Sequence, residues 1–172
     1  MVHLSPSWNG LHAIIVHFPI VLLLIAPLFV IVGLALPSAK GRPFLVSALA
    51  FMMLGTATIF IAAATGEVVM KAVGSAPAVR VALEQHRGLA GTTQELFAML
   101  TVSFAAMLFV PRLLGHELES WVSTALLAVF LVFYATGALF LVNTVHHGGL
   151  LVHQLGHNAA VTVSVPIEEL RQ

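Results

Sequence analysis

The chain contains no cysteine in 172 residues. That removes disulfides, thiolate metal centres, iron–sulfur clusters and thioether-linked haem from the chemistry open to it. Charge is scarce too: seven basic and seven acidic side chains make up 8% of the sequence, against roughly 25% in an average soluble domain. With a net charge of zero there is no basic field to hold nucleic acid, so that partner is excluded. No basic n-region precedes the first apolar run and no small-residue cleavage site cleanly follows it, so the run reads as a retained helix. The sequence also lacks an H-E-x-x-H motif, a nucleophile elbow and a phosphate-binding glycine loop, and offers no nucleophile–base pair for hydrolysis.

What the chain has in quantity is apolar surface. Hydrophobic residues make up 59% of it and the mean hydropathy is +1.03. A water-soluble core does not explain this, and the length allows one domain. Four runs are long enough for the roughly 20 residues that a bilayer crossing needs. They cover about 11–36, 44–64, 84–110 and 121–142. The third is the least clean, with Gln94 and Glu95 in its first half. "LPSAKGRP", "GSAP" and "PRLLGHELES" separate the runs. Pro27 lies inside the first and should free the carbonyl of Leu23. Residues 143–172 are too polar for a fifth span. There Gly148-Gly149 predicts a turn, and the segment reads as an interfacial or irregular tail. The expected fold is therefore all-α: one integral membrane domain over 1–172, built as a four-helix bundle. No internal repeat is evident.

An even number of spans puts both termini on one side. Lys40, Arg42 and Arg112 crowd the two short connections, which favours those as cytoplasmic and the other face as periplasmic. Antiparallel threading gathers His12, His17, Glu67, His86, His146 and His147 at that other face. Eight of the nine histidines fall there, but so do most of the non-spanning residues, so the count alone decides nothing. Position says more. His12 and His17 are five residues apart, about 140° around a helix, so they cannot chelate one ion as an i, i+4 pair does. His86 opens the third span and His147 closes the fourth, so three helices present imidazoles at similar depth. Glu95 lies nine residues deeper than His86, where an ionisable group normally faces the bundle interior, a cavity or a partner. Arg87 and Thr92 are its candidate partners within the chain.

Two neutral imidazoles from different helices suit a b-type haem. Three imidazoles with a carboxylate suit zinc, copper or non-haem iron. The residue types are present for both.

"HAIIVHFPIVLLL", "AAATGE", "EQHRGLAG" and "HHGGLLVHQLG" resemble, in order and spacing, the small bacterial membrane proteins called domain of unknown function 2231. Such proteins open with a His-x-x-x-Val-His-Phe-Pro-Ile-like stretch and have four predicted spans. They carry Thr-Gly after the second span, a histidine early in the third, and a Gly-Gly-x-Leu-Val-Tyr-like stretch after the fourth. The resemblance covers most of the chain and marks His12, His17, Phe18, Pro19, Thr65, Gly66, His86, Gly148 and Gly149. Where the family has a tyrosine and then a histidine two residues on, this chain has His153 and Leu155, with a histidine at His157 instead. Members resemble, or are fused to, electron-transfer components, which implies a redox role.

The resulting expectation is a b-type cytochrome-like electron-transfer subunit of the bacterial inner membrane, rather than an independent enzyme. His17 and His86 would form the axial pair for haem b. His12 and His147 would be a second pair or stand behind the first, with Glu67 and Glu95 as possible further ligands. The expected partners are the lipid bilayer, membrane or periplasmic redox proteins, and quinone. A non-haem metal site and a cofactor-free assembly subunit are the alternatives.

Overall fold

The structure is a computed structural model that describes residues 8–72, 77–115 and 119–151. Among the described residues five helices follow one another: α1 (Trp8–Ile15), α2 (His17–Ala35), α3 (Ser38–Ala72), α4 (Pro77–Leu113) and α5 (Ser120–Leu150). No strand occurs among the described residues. Together α1 and α2 make the first of four candidate membrane spans, Leu11–Ala35. The others are Ser38–Val68, Arg80–Leu113 and Ser120–Leu150. The helices pack as a ring, α2 on α3, α3 on α4, α4 on α5 and α5 on α2, with α1 leaning on α3.

The burial pattern is that of a lipid-facing bundle. Leu23, Val30, Met52, Phe97 and Phe104 are fully enclosed at the centre. Large apolar residues such as Val102 (69% exposed) and Leu139 (71%) cover the outside. An exposed apolar surface of this extent is stable only against hydrocarbon.

Two prolines shape the first span in different ways. Pro19 has no N–H for the carbonyl of Ile15 and crowds it. There α1 ends, and the Val16 N–H to His12 O bond (3.1 Å) bridges the break. Pro27 stays inside α2, and the carbonyl it leaves free, Leu23 O, takes the hydroxyl of Tyr134 at 2.7 Å. Proline is tolerated in a membrane helix when a neighbour satisfies the freed acceptor in this way.

Several helix ends depart from the sequence expectation. Chain breaking after the first span is confined to Leu36-Pro37, and α3 starts at Ser38 and runs on through Pro43. Helix α4 begins with Pro77 at its first position, which suits a residue lacking an N–H, and continues through Pro111 to Leu113. The largest difference is at Gly148-Gly149, where no turn forms: α5 continues to Leu150. Two glycines weaken a helix by about 1 kcal/mol each, but a close neighbour occupies the space that a side chain at 148 would need. That neighbour is His86, whose Cε1 lies 3.1 Å from where a Cβ would stand. The expected tail therefore begins later, and residues 152–172 lie outside the described residues.

Candidate functional site

Helices α3 and α4 have 35 and 37 residues, about 50–55 Å in length, so both can extend past the hydrocarbon. Around the start of α1, the end of α3, the start of α4 and the end of α5 lies a cluster of histidines, threonines and glycines. It is organised as two similar pairs.

In the first pair, His12 of α1 faces α3. Its Nδ1 lies 3.0 Å from Thr65 Oγ1. The Thr65 hydroxyl has one proton, and two backbone carbonyls of its own helix stand ready for it, Ala62 O at 2.9 Å and Ile61 O at 3.1 Å. Carbonyls only accept, so with that proton on either of them the Thr65 oxygen accepts from the Nδ1–H of His12. A neutral His12 then has its lone pair on Nε2. The ring lies over Gly66, with Cε1 3.0 Å from the position of a Cβ.

The second pair repeats this on α4 and α5. His86 lies over Gly148 with Cε1 at 3.1 Å, and in both pairs the two ring nitrogens follow at 3.6 and 3.7 Å. One turn before Gly148, Thr144 holds the helices together through a buried 2.8 Å hydroxyl contact with Thr93. Thr93 in turn lies two turns beyond His86 on α4. The pairs differ in one respect: among the described residues no hydroxyl reaches the ring of His86, and its buried Nδ1 has no hydrogen-bond partner. The Thr144 carbonyl faces this ring, and His12 and His147 stand near enough for their charges to be felt there.

The other histidines are placed less centrally. His17, expected as an axial residue, is exposed, and its Nδ1–H donates to Ala13 O of the preceding turn at 2.6 Å. His147 is half-buried and donates from Nδ1 to Asn143 O at 2.9 Å, with His146 edge-on at 5.9 Å. His3, His116, His153 and His157 lie outside the described residues. The imidazole that packs inward from the first span is thus His12. Their five-residue offset explains this, because it turns the two imidazoles of His12 and His17 about 140° apart around the helix.

The acidic candidates also separate. Glu67 follows Gly66, and its carboxylate pairs with Arg87, the neighbour of His86, at 2.7 Å. This exposed ion pair ties α3 to α4 beside the two histidines. Glu95 does not join the cluster. It is exposed on α4, Arg87 is taken by Glu67, and the Thr92 hydroxyl donates to Gly88 O at 3.1 Å. Among the described residues, no group of three or more His, Asp or Glu side chains stands close enough to enclose a metal ion.

The sequence model of one family, described as a predicted membrane protein (DUF2231), matches residues 9–160. The chain belongs to the DUF2231 family. No curated protein and no solved structure matches it. For this DUF2231 protein, membrane spanning is carried by both the match and the four long apolar helices. The stretches that resemble the family are also the ones that build the paired sites: His12, Thr65 and Gly66 in one, His86 and Gly148 in the other. Thr93 and Thr144 carry no motif. Their only sequence signal is position, Thr93 two helical turns from His86 and Thr144 one turn from Gly148.

Proposed function

We propose that this DUF2231 protein is a b-type cytochrome-like electron-transfer subunit, with the group held at the His12 and His86 end of the bundle. The observation that carries the reading is the Thr65–His12 hydrogen bond. With Nδ1–H donating to Thr65, a neutral His12 would present its Nε2 lone pair to iron, the arrangement that partners behind a metal ligand commonly impose. His86 supports it from a different helix, with a buried Nδ1 that has no hydrogen-bond partner among the described residues. An orphan of this kind costs about 1–3 kcal/mol unless something binds it. The donor set fits: two neutral imidazoles are what a six-coordinate haem needs, and the chain has no thiolate to compete.

When bound, haem b supplies a one-electron ferric/ferrous couple. The protein's own part is to present His12 and His86, to hold His12 by Thr65, and to keep the site at one end of an apolar bundle. A non-haem ion is the weaker reading, because three or more donors do not converge among the described residues. The density of Lys40, Arg42 and Arg112 at the opposite end favours a bacterial inner membrane with the histidine end periplasmic. Electrons would then pass between quinone and a redox protein at that face.

One observation favours a second reading. Each imidazole fills the notch of a glycine, as a packing wedge in a cofactor-free assembly subunit would. The visible spectrum of the purified protein, with haem extraction and metal analysis, separates the two. A Soret band lost in His12→Ala and His86→Ala supports the redox reading, and a colourless, haem-free and metal-free protein supports the wedge.

A further inference from the structure

The outer face of α4 carries a feature that the histidine site does not use. Glu95 is eight residues from Arg87 and seventeen from Arg112, about 12 and 25 Å along the helix. A hydrocarbon layer of about 30 Å centred between those arginines therefore contains Glu95, several ångströms inside its edge. Phe97 and Phe104, on the opposite side of α4, are fully buried, while Glu95 is exposed and makes no hydrogen bond or ion pair among the described residues. A carboxyl left among lipid chains costs several kcal/mol. Among the described residues nothing meets that cost.

A second observation lies on the same face. Glycines at helix contacts in this chain have their notches filled: Gly55 by Leu23, Gly137 by Leu100, Gly66 and Gly148 by histidine rings. Among the described residues, Gly88 and Gly91 have nothing within 4 Å of the place where a Cβ would stand. At 100° per residue, Gly88, Gly91, Thr92, Glu95, Met99 and Ala106 fall within about 60° of one line along α4. Small residues on a membrane helix let a second backbone approach closely, and polar ones hydrogen-bond across the contact.

We propose that this face joins a second copy of the chain about a two-fold axis along the membrane normal, with the two Glu95 carboxyls hydrogen-bonded to each other. Such an axis keeps both copies in one orientation and brings equal depths together, so Glu95 meets Glu95 and each open glycine meets the partner's α4. A carboxyl that carries its proton has one donor and one acceptor, so a two-fold pair satisfies both. The face is thereby self-complementary. An unlike helix would have to supply a matching donor at that one depth.

The test uses the absence of native cysteine. Met99→Cys and Val102→Cys lie on the face, and Val132→Cys lies on α5 with equal exposure, 68%, 69% and 68%. In native membranes the first two should cross-link to a dimer of the chain and the third should not. In lipid nanodiscs, Glu95→Gln keeps a donor and an acceptor and should dimerise within about threefold of the unsubstituted protein. Glu95→Leu should lose about tenfold or more in association. A monomeric unsubstituted protein, undiminished dimerisation of Glu95→Leu, cross-linking at Val132→Cys equal to that at Met99→Cys, or cross-linking only to an unlike chain each overturns the proposal.

Discussion

The hydroxyl of Tyr134, the chain's one tyrosine, donates to the carbonyl of Leu23 at 2.7 Å, the acceptor that Pro27 deprives of its helical N–H. Phe97 and Phe130 hold the ring in place, edge-on at 5.5 Å and tilted at 5.7 Å. Tyr134→Phe should keep this packing and strand the carbonyl, lowering stability by about 1–3 kcal/mol. Pro27→Ala restores an N–H to Leu23 O, so the double variant should recover most of the loss. Thermal unfolding in detergent, followed by tryptophan fluorescence, reads both steps. Undiminished stability of Tyr134→Phe would show that Tyr134 acts through packing alone.

The crossing of α2 and α3 is set by Gly33 and Gly41. A Cβ on Gly41 would run into the carbonyl oxygen of Gly33, and backbone cannot swing aside as a side chain does. Gly41→Ala should therefore cost about 1–3 kcal/mol or more. Gly149→Ala, with nothing among the described residues within 4 Å of its Cβ position, should leave the fold as stable as before or slightly more so. The same unfolding assay compares the two.

Thr65 should act through His12. Thr65→Ser keeps the hydroxyl and should behave as the unsubstituted protein, whereas Thr65→Val removes the acceptor for Nδ1–H. Losing a partner behind a metal ligand lowers affinity by about 10–100-fold. Haem titration of the stripped protein measures the difference. Equal affinity in the two variants would separate Thr65 from the site.

The Glu67–Arg87 pair should matter little to stability. Its side chains are 50% and 63% exposed, and exposed pairs contribute about 0–1 kcal/mol. Glu67→Gln and Arg87→Gln should each shift unfolding by less than about 1 kcal/mol, with the shift shrinking further at high salt.

Much of this architecture is legible in the sequence because it rests on local rules. Run length and the absence of charge mark the four spans, and antiparallel threading places His12, Glu67, His86 and His147 at one end. Pro27 announces a free carbonyl at Leu23. The sequence is silent on what is long-range. Nothing near Leu23 names Tyr134, 111 residues away, as its donor. Gly148-Gly149 reads as a turn because glycine usually marks one, and only the ring of His86 shows why these glycines stay helical. The two histidine–glycine pairs form no recognisable repeat, since 54 residues separate His12 from Gly66 and 62 separate His86 from Gly148. Glu95 reads from its depth as facing the bundle interior, a cavity or a partner, and helical phase opposite Phe97 turns it outward, away from the interior.

The central claim is that His12 and His86 together hold a haem, and the absorption spectrum of the protein purified from membranes tests it most directly. The account predicts a Soret band that shifts on reduction with dithionite, haem b on extraction, and loss of both in His12→Ala and in His86→Ala while the helical circular dichroism persists. A haem-free protein from haem-replete cells, or one whose spectrum survives both substitutions, would contradict it.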